Sequence, residues 1–320
     1  MLDIKINVYH YLKTATRWGE LAMVETGGQE DQGAAGEAGR QKVGVLGAGT
    51  MGSGIAITVA RVGHPVVVRD ISEDRVEKGL ATVRKFLDRG VERGRLSAEQ
   101  RDAAVSGLTG TTELEALADC DIVIEAIFED ETLKAETFGQ LDDICGPETL
   151  FHTNTSTLSV TAIAAGSAHP ERVVGTHYAN PAPMVDLVEV AQGRLTSDEA
   201  HRKTIDFVEG LGKKALLAKD TPGFILNYFL VPFENDCIRA LEAGLGTVES
   251  IDKAVTLGLG YPMGTFRLLD WVGLDIHKAV STILYERLLD PRFAVPPLVD
   301  QMVNAGHLGR KTGKGFYDYE

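Results

Sequence analysis

His177 and Glu189 are the residues whose types and spacing best suit proton-transfer chemistry. His177 ends an apolar, strand-like run in VVGTHYANP, and Glu189 lies twelve residues later inside another, LVEV. Histidine suits a general base because its ordinary pKa lies near neutrality. A carboxylate within an apolar run is costly to bury unless it is paired, and an imidazole is a suitable partner. Such a pair would fix the ring tautomer and stabilise the imidazolium formed on proton uptake. Each residue also fits a plainer role, His177 as a satisfied core or surface side chain and Glu189 as an edge-strand acid facing solvent. Ser156, in NTSTLS, either caps a helix over residues 160–165 or faces a ligand, and Thr157 or Ser159 could cap in its place. Asn227, in TPGFILNYF, is an amide in an apolar helical run, which caps something locally or faces a cleft.

A second constellation occupies residues 42–70, KVGVLGAGTMGSGIAITVARVGHPVVVRD. It reads as an apolar strand (43–46), a glycine turn, an apolar helix (55–62) and a second strand (66–68) closed by Asp70. Gly47, Gly49 and Gly52 have the G-x-G-x-x-G spacing, and the acid follows about 20 residues on, as a dinucleotide site requires. Gly47 permits the tight turn, Gly49 lets the backbone approach a pyrophosphate, and Gly52 allows close helix–strand packing. Thr50 and Met51 complete the turn, where free N–H groups and a positive dipole end await phosphates. Asp70 can accept hydrogen bonds from an adenosine ribose and would repel a 2′-phosphate. That favours NAD over NADP, with neighbouring Arg69 as the feature working against it. A histidine base beside such a site suits a dehydrogenase, taking a hydroxyl proton as hydride leaves for the nicotinamide.

The elements that must position these groups alternate. After Asp70 come a long helix (72–95) with Val76, Leu80, Val83 and Leu87 on one stripe, then a second helix (98–105), together a helical hairpin. Strands follow at 108–111 and 121–126, a helix at 133–144, and strands at 150–154, 173–177, 187–190 and 215–218. This order predicts a doubly wound, Rossmann-type α/β domain over residues 41–222. Beyond Thr221–Pro222–Gly223 the periodicity is helical only, broken at Gly244, Gly246, 258–264 and Gly273, which predicts an all-helical domain over 223–320. Residues 1–40 look different. The stretch ETGGQEDQGAAGEAGR has the composition of a linker, and the segment reads as a disordered extension.

The 320 residues carry a net charge of −14, which argues against nucleic acid as a general partner. No apolar run approaches the ~18 residues of a membrane span, and no signal-peptide pattern opens the chain. Cys120, Cys145 and Cys237 are widely spaced and read as reduced thiols of a cytoplasmic protein. No metal site is expected.

From residue 42 to residue 319 the chain resembles the L-3-hydroxyacyl-CoA dehydrogenases, especially the short, stand-alone bacterial 3-hydroxybutyryl-CoA type. The resemblance rests on GAGTMGSGIA, VVVRDIS, EKGLATVRKFLDRGVERGRLSAEQ, ADCDIVIEAIFEDETLK, NTSTLSVT, PERVVGTHYANPAPMVDLVEV, DTPGFILN, GYPMGTFRLLDWVGLD and GRKTGKGFYDY, in family order. It implies that His177 is the catalytic base and Glu189 its acidic partner, with Ser156 and Asn227 bonding the substrate oxygen. It implies further that Glu129 and Lys134 border the nicotinamide pocket, that Asn180 belongs to the NP turn at the cofactor, and that the helical domain carries a homodimer interface. Tyr178, Ala179, Asp186 and Tyr228 depart from the family pattern, and the resemblance places them near the cleft. Lys78, Lys85 and Arg89 lie opposite the apolar stripe of their helix and either meet CoA phosphates or form a solvated face. The implied activity is reversible, NAD-dependent oxidation of a short-chain 3-hydroxyacyl-CoA in fatty acid or butanoate metabolism. A related dehydrogenase acting on a free hydroxy acid or alcohol, and a non-catalytic NAD-binding protein, are the competing expectations.

Overall fold

The computed structural model describes residues 39–319, so the extension expected over 1–40 falls almost wholly outside the described residues. Eight short strands form one sheet: β1 Val43–Leu46, β2 Val66–Arg69, β3 Leu108–Thr111, β4 Ile122–Glu125, β5 Leu150–Thr153, β6 Val173–Tyr178, β7 Leu187–Gln192 and β8 Lys214–Lys219. Their spatial order is β3-β2-β1-β4-β5-β6-β7-β8. All neighbours are parallel except β6 and β7, which pair antiparallel. The central strands are near-continuous Val/Ile runs because helices cover both faces. Val43, Val45, Val66, Val68, Ile122 and Ile124 point into one core layer, while Leu46, Val67, Val123 and Phe151 point into the other.

In chain order the helices of this domain are α1 Thr50–Ala60, α2 Glu73–Glu92, α3 Ala98–Ser106, α4 Glu131–Ile144, α5 Val160–Ala164 and α6 Asp198–Gly210. Helix α1 begins at the glycine turn itself, five residues before its apolar stretch suggested. Helices α2 and α3 form the expected hairpin between β2 and β3. Val76, Leu80, Val83 and Leu87 are buried, and Ser97 with Gln100 closes a capping box that starts α3. Helix α6 was not anticipated from the sequence. Its buried stripe of Ala200, Thr204, Phe207 and Val208 is modest, and Ser197 caps it by accepting from the Ala200 N–H.

After the turn at 221–223 the chain is helical: α7 Leu226–Glu242, α8 Val248–Lys253, α9 Thr265–Val272, α10 Leu274–Leu288 and α11 Pro297–Asn304. The glycine-rich breaks seen in the sequence fall between these helices. The tail departs slightly from an all-helical expectation, since bridges Gly309↔Lys314 and Lys314↔Asp318 fold it back on itself. Asp270 accepts from the Phe316 and Tyr317 N–H groups at 2.9 Å each, which pins that tail to α9. The three cysteines are free and buried, and burial pushes the thiols of Cys120 and Cys145 up to about 12 and about 11.

One buried group makes folding pH-dependent. His152, on β5, is fully covered; its Nε2 meets the Thr204 hydroxyl at 2.9 Å, and its Nδ1 has no partner among the described residues. Burial pulls its pKa down from 6.5 to about 3. The unfolded chain therefore binds a proton that the folded chain rejects, and stability present above pH 6.5 is lost as pH falls toward about 3. His152→Gln is expected to reduce the loss of unfolding free energy between pH 7 and pH 5 by about 2 kcal/mol. Urea titrations at the two pH values measure this, and an unchanged pH difference would remove His152 from the role.

Candidate active site

The glycine turn is built by contact as much as by conformation. Gly47 has φ +97°, and a Cβ there would lie 2.5 Å from the Ala126 carbonyl oxygen of the neighbouring strand end. A Cβ on Gly52 would lie 1.7 Å from the Gly47 oxygen, so α1 can start here only with glycine. Gly49 is different: a Cβ would meet no atom of the described residues within 4 Å. The space above it is open, as close approach of a ligand to the backbone requires. No side chain caps α1, and no acid lies in its first turn, so the N–H groups at Thr50, Met51 and Gly52 face that space with the helix dipole behind them. A dinucleotide pyrophosphate fits this cradle.

Asp70, at the end of β2, is held by two N–H groups, Ala48 to Oδ2 and Ile71 to Oδ1, each at 2.7 Å. Both oxygens keep a lone pair for ribose hydroxyls. Arg69 is committed elsewhere, since its Nε donates to the Thr112 carbonyl at 3.0 Å. Arg75 is the cation nearest Asp70 in its ion pairs, 3.8 Å away and mostly exposed.

His177 and Glu189 stand directly opposite each other in the β6–β7 ladder. The His177 Nδ1 lies 2.7 Å from Glu189 Oε2, and an ionised carboxylate there makes Nδ1 the donor. The other ring nitrogen, Nε2, is then the acceptor, with no hydrogen-bond partner among the described residues. Glu189 itself is 1 % exposed. Its Oε1 accepts from the Ile225 and Leu226 N–H groups at 2.9 Å each, so one carboxylate orients the imidazole and anchors the start of α7. Gly223 and Phe224 adopt positive φ to make that approach, and the Phe224 ring centroid lies 6.0 Å from that of His177. Asn227 occupies the first turn of α7, and its side-chain amide has no hydrogen-bond partner among the described residues.

Ser156 follows the carboxyl end of β5, the strand that pairs in parallel with β6. It does not cap α5. Ser159 does, with Asp220 accepting from the Val160 and Thr161 N–H groups at 2.8 and 2.7 Å. The Ser156 hydroxyl is left without a partner among the described residues, while its N–H donates to Glu129 Oε1 at 3.1 Å. Asn154 ties this loop to β6 by accepting from the Tyr178 N–H at 3.0 Å. Lys134 is buried between two carboxylates, 2.5 Å from Glu125 Oε1 and 3.3 Å from Glu129 Oε2. Glu125 was missed in the sequence. The signal that flagged Glu189, a carboxylate in an apolar run (DIVIEA), was present there too.

Asn180 is exposed and heads the cis-prolyl turn at Pro181. The following loop is held by Arg61 on the Pro183 carbonyl and Lys213 on the Val185 carbonyl, at 3.1 and 2.7 Å. The expectation that Tyr178 borders the cleft does not hold. Successive strand residues face opposite sides, so with His177 at the site Tyr178 turns into the core, 1 % exposed. Lys78, Lys85 and Arg89 lie on the exposed face of α2, where Lys78 pairs with Asp74 at 2.7 Å. No hydrogen bond or ion pair among the described residues links them to His177 or Ser156. Helix α2 does flank the nucleotide turn, for a Cβ on Gly79 would lie 2.7 Å from the Ala48 Cβ.

Residues 42–221 match the 3-hydroxyacyl-CoA dehydrogenase NAD binding domain, and residues 223–319 match the 3-hydroxyacyl-CoA dehydrogenase C-terminal domain. A Mycobacterium tuberculosis protein named 3-hydroxybutyryl-CoA dehydrogenase is 43 % identical over 281 residues, covering 87 % of this chain and 98 % of its own. The crystal structure of M. tuberculosis FadB2 superposes with a TM-score of 0.85 at 42 % identity, over 88 % of this chain and 99 % of that one. That of (S)-3-hydroxybutyryl-CoA dehydrogenase PaaH1 from Ralstonia eutropha gives 0.83 at 40 % identity, with the same two coverages. With both domain matches in sequence, and an open glycine cradle at one end of a sheet that carries a carboxylate-held histidine, the chain belongs to the 3-hydroxyacyl-CoA dehydrogenase family, NAD-binding domain included.

Proposed function

We propose that this chain reversibly oxidises a short-chain (S)-3-hydroxyacyl-CoA, such as 3-hydroxybutyryl-CoA, to the 3-ketoacyl-CoA. The observation that carries this reading is the His177–Glu189 pair at 2.7 Å, which leaves Nε2 as an acceptor near the carboxyl end of β6. NAD, when bound along the glycine turn, supplies the acceptor for hydride. His177 Nε2 takes the proton from the C3 hydroxyl, and Glu189 stabilises the resulting imidazolium through the Nδ1–H it already holds. The Ser156 hydroxyl and the Asn227 amide, both without partners among the described residues, hydrogen-bond the substrate oxygen and set its angle to the imidazole. In the reverse direction the same imidazolium returns the proton. The relatives named for 3-hydroxybutyryl-CoA support the short acyl chain.

The domain division we adopt is 41–222 for cofactor binding and 223–320 for substrate closure and dimerisation. Exposed Leu257, Leu259, Tyr261 and Trp271 on the helical half support a homodimer through that domain. No helix among the described residues is long and apolar enough to cross a membrane. A cytoplasmic location, and an acyl-CoA rather than nucleic acid or a membrane as partner, belong to the same proposal.

The test is NADH oxidation with acetoacetyl-CoA beside free acetoacetate. Turnover of the thioester is the expected result. Turnover of the free acid alone would favour a dehydrogenase of free hydroxy acids, and none with either would favour a non-catalytic NAD-binding protein. Adding the triple variant Lys78→Ala/Lys85→Ala/Arg89→Ala asks whether α2 meets CoA phosphates. KM should rise for acetoacetyl-CoA and not for a truncated thioester. Equal effects would return this face to the solvent.

Cofactor choice gives a separate prediction. Asp70→Ala should narrow the preference of kcat/KM for NAD over NADP, because the variant neither accepts from the ribose nor repels a 2′-phosphate. An unchanged ratio would remove Asp70 from that role.

A further inference from the structure

Asp220 immediately follows β8 and precedes the turn into α7, and it takes no part in proton transfer. Its carboxylate reaches back to the start of α5. Oδ1 accepts from the Val160 N–H at 2.8 Å, and Oδ2 accepts from the Thr161 N–H at 2.7 Å and from the Ser159 hydroxyl at 3.0 Å. A cap alone needs less, since Ser159 already serves α5 by accepting from the Ala162 N–H at 3.2 Å. Ser156 lies three residues before Ser159. On the other side of Asp220 the turn is tight: the Phe224 N–H donates to the Thr221 carbonyl at 2.9 Å, and the Asn227 N–H to the Gly223 carbonyl at 3.1 Å. Packing repeats the link. Val160, whose N–H Asp220 holds, shares a small buried cluster with Ala191, Ala218 and Phe224, and the Phe224 ring lies beside His177.

We infer that Asp220 is a positioning residue that sets Ser156 against Asn227, by tying the start of α5 to the turn before α7. The inference rests on the reading of both residues as ligands of the substrate oxygen. Those two ligands come from different domains, so their separation depends on what joins the domains. Three ties do so around the site. Asn154 holds the Ser156 turn to β6 through the Tyr178 N–H, and Glu189 holds the start of α7 to His177. These two connect Ser156 with Asn227 by way of the β6–β7 ladder, and Asp220 closes the remaining side between α5 and α7. A carboxylate suits that task because an ionised acceptor makes shorter and stronger bonds to N–H groups than a neutral one. Small errors matter here, since a misplacement of about 1 Å in a substrate-orienting group can cost roughly 10²-fold in rate.

The test compares Asp220→Ala and the milder Asp220→Asn, which keeps one acceptor oxygen, with Ser159→Ala. The last removes the cap of α5 but leaves the Val160 and Thr161 N–H groups on Asp220. Three quantities are read below the melting temperature of every variant: amide exchange at Ile225, Leu226 and Asn227, NADH affinity, and kcat for acetoacetyl-CoA per NADH-binding site. In the Asp220 variants we expect faster exchange at the three amides and retained NADH affinity. We also expect kcat to fall by roughly 10–100-fold with a smaller change in KM, because orientation of the substrate oxygen is what is lost. Ser159→Ala should melt earlier yet keep wild-type exchange at 225–227 and wild-type kcat. If Asp220→Ala fails to fold, Asp220→Asn carries the same readings. Wild-type kcat and wild-type exchange at 225–227 in the Asp220 variants would overturn the inference and leave Asp220 a helix cap. Equal losses in Ser159→Ala would also overturn it, by tracing them to a loosened α5. Exchange needs no turnover, so it judges the tie even if the wild-type protein fails to reduce acetoacetyl-CoA and the functional reading falls.

Discussion

His177→Ala is expected to lower kcat for oxidation of 3-hydroxybutyryl-CoA by roughly 10²–10⁴ while leaving NAD affinity nearly intact, the range for loss of a positioned general base. The structure sharpens the reason. Nδ1 is committed to Glu189 at 2.7 Å, so only Nε2 can take a proton. His177 lies on the sheet near the α7 turn, away from the Gly49 cradle, which is why cofactor affinity should survive. Steady-state kinetics paired with a direct NADH binding titration separates the two effects. A parallel loss of both would mean the substitution disturbs the cofactor site, and the assignment of His177 as base would fall.

The second large effect is expected at Glu189. In Glu189→Gln the amide oxygen should stay with the Ile225 and Leu226 N–H groups, which both need an acceptor at 2.9 Å. The amide nitrogen then faces His177 and turns Nδ1 into an acceptor, leaving the proton on Nε2, the wrong tautomer for a base. A fall in kcat of roughly 10²–10⁴ follows, with little loss of thermal stability because the α7 anchor persists. Glu189→Ala loses the anchor as well and should melt earlier. The double variant His177→Ala/Glu189→Gln should lose far less than the product of the two single losses, because the pair acts as a unit. Effects that multiply cleanly would leave Glu189 an ordinary strand acid and the mechanism wrong.

The sequence by itself determined the α/β domain, the helical domain after residue 222, the glycine turn with its acid, and His177 and Glu189 as candidates. These were legible because each rests on local chemistry. β-Branched runs between glycines make buried strands, G-x-G-x-x-G makes one kind of turn, and a carboxylate in an apolar run demands a partner wherever it folds. Helix α6 carried a legible cap at Ser197 and one buried face of Ala200, Thr204, Phe207 and Val208, and the structure adds what that face covers, β6, β7 and β8. Tyr178 was misplaced because the strand expected over 173–177 runs on to residue 178, so the alternation that turns it away from the side of His177 applies to it as well. Only the tertiary structure set His177 opposite Glu189. That takes an antiparallel β6–β7 pair within an otherwise parallel sheet, and a shift of one residue in register would have put the carboxylate on the other face. It also decided that Glu189 holds α7 as well as the histidine, and that Lys134 lies inside the protein between Glu125 and Glu129. Neither follows from spacing along the chain, because backbone N–H groups and buried cations leave no mark in the sequence of what they will meet. Their partners come from other elements, and only packing brings them within hydrogen-bond reach.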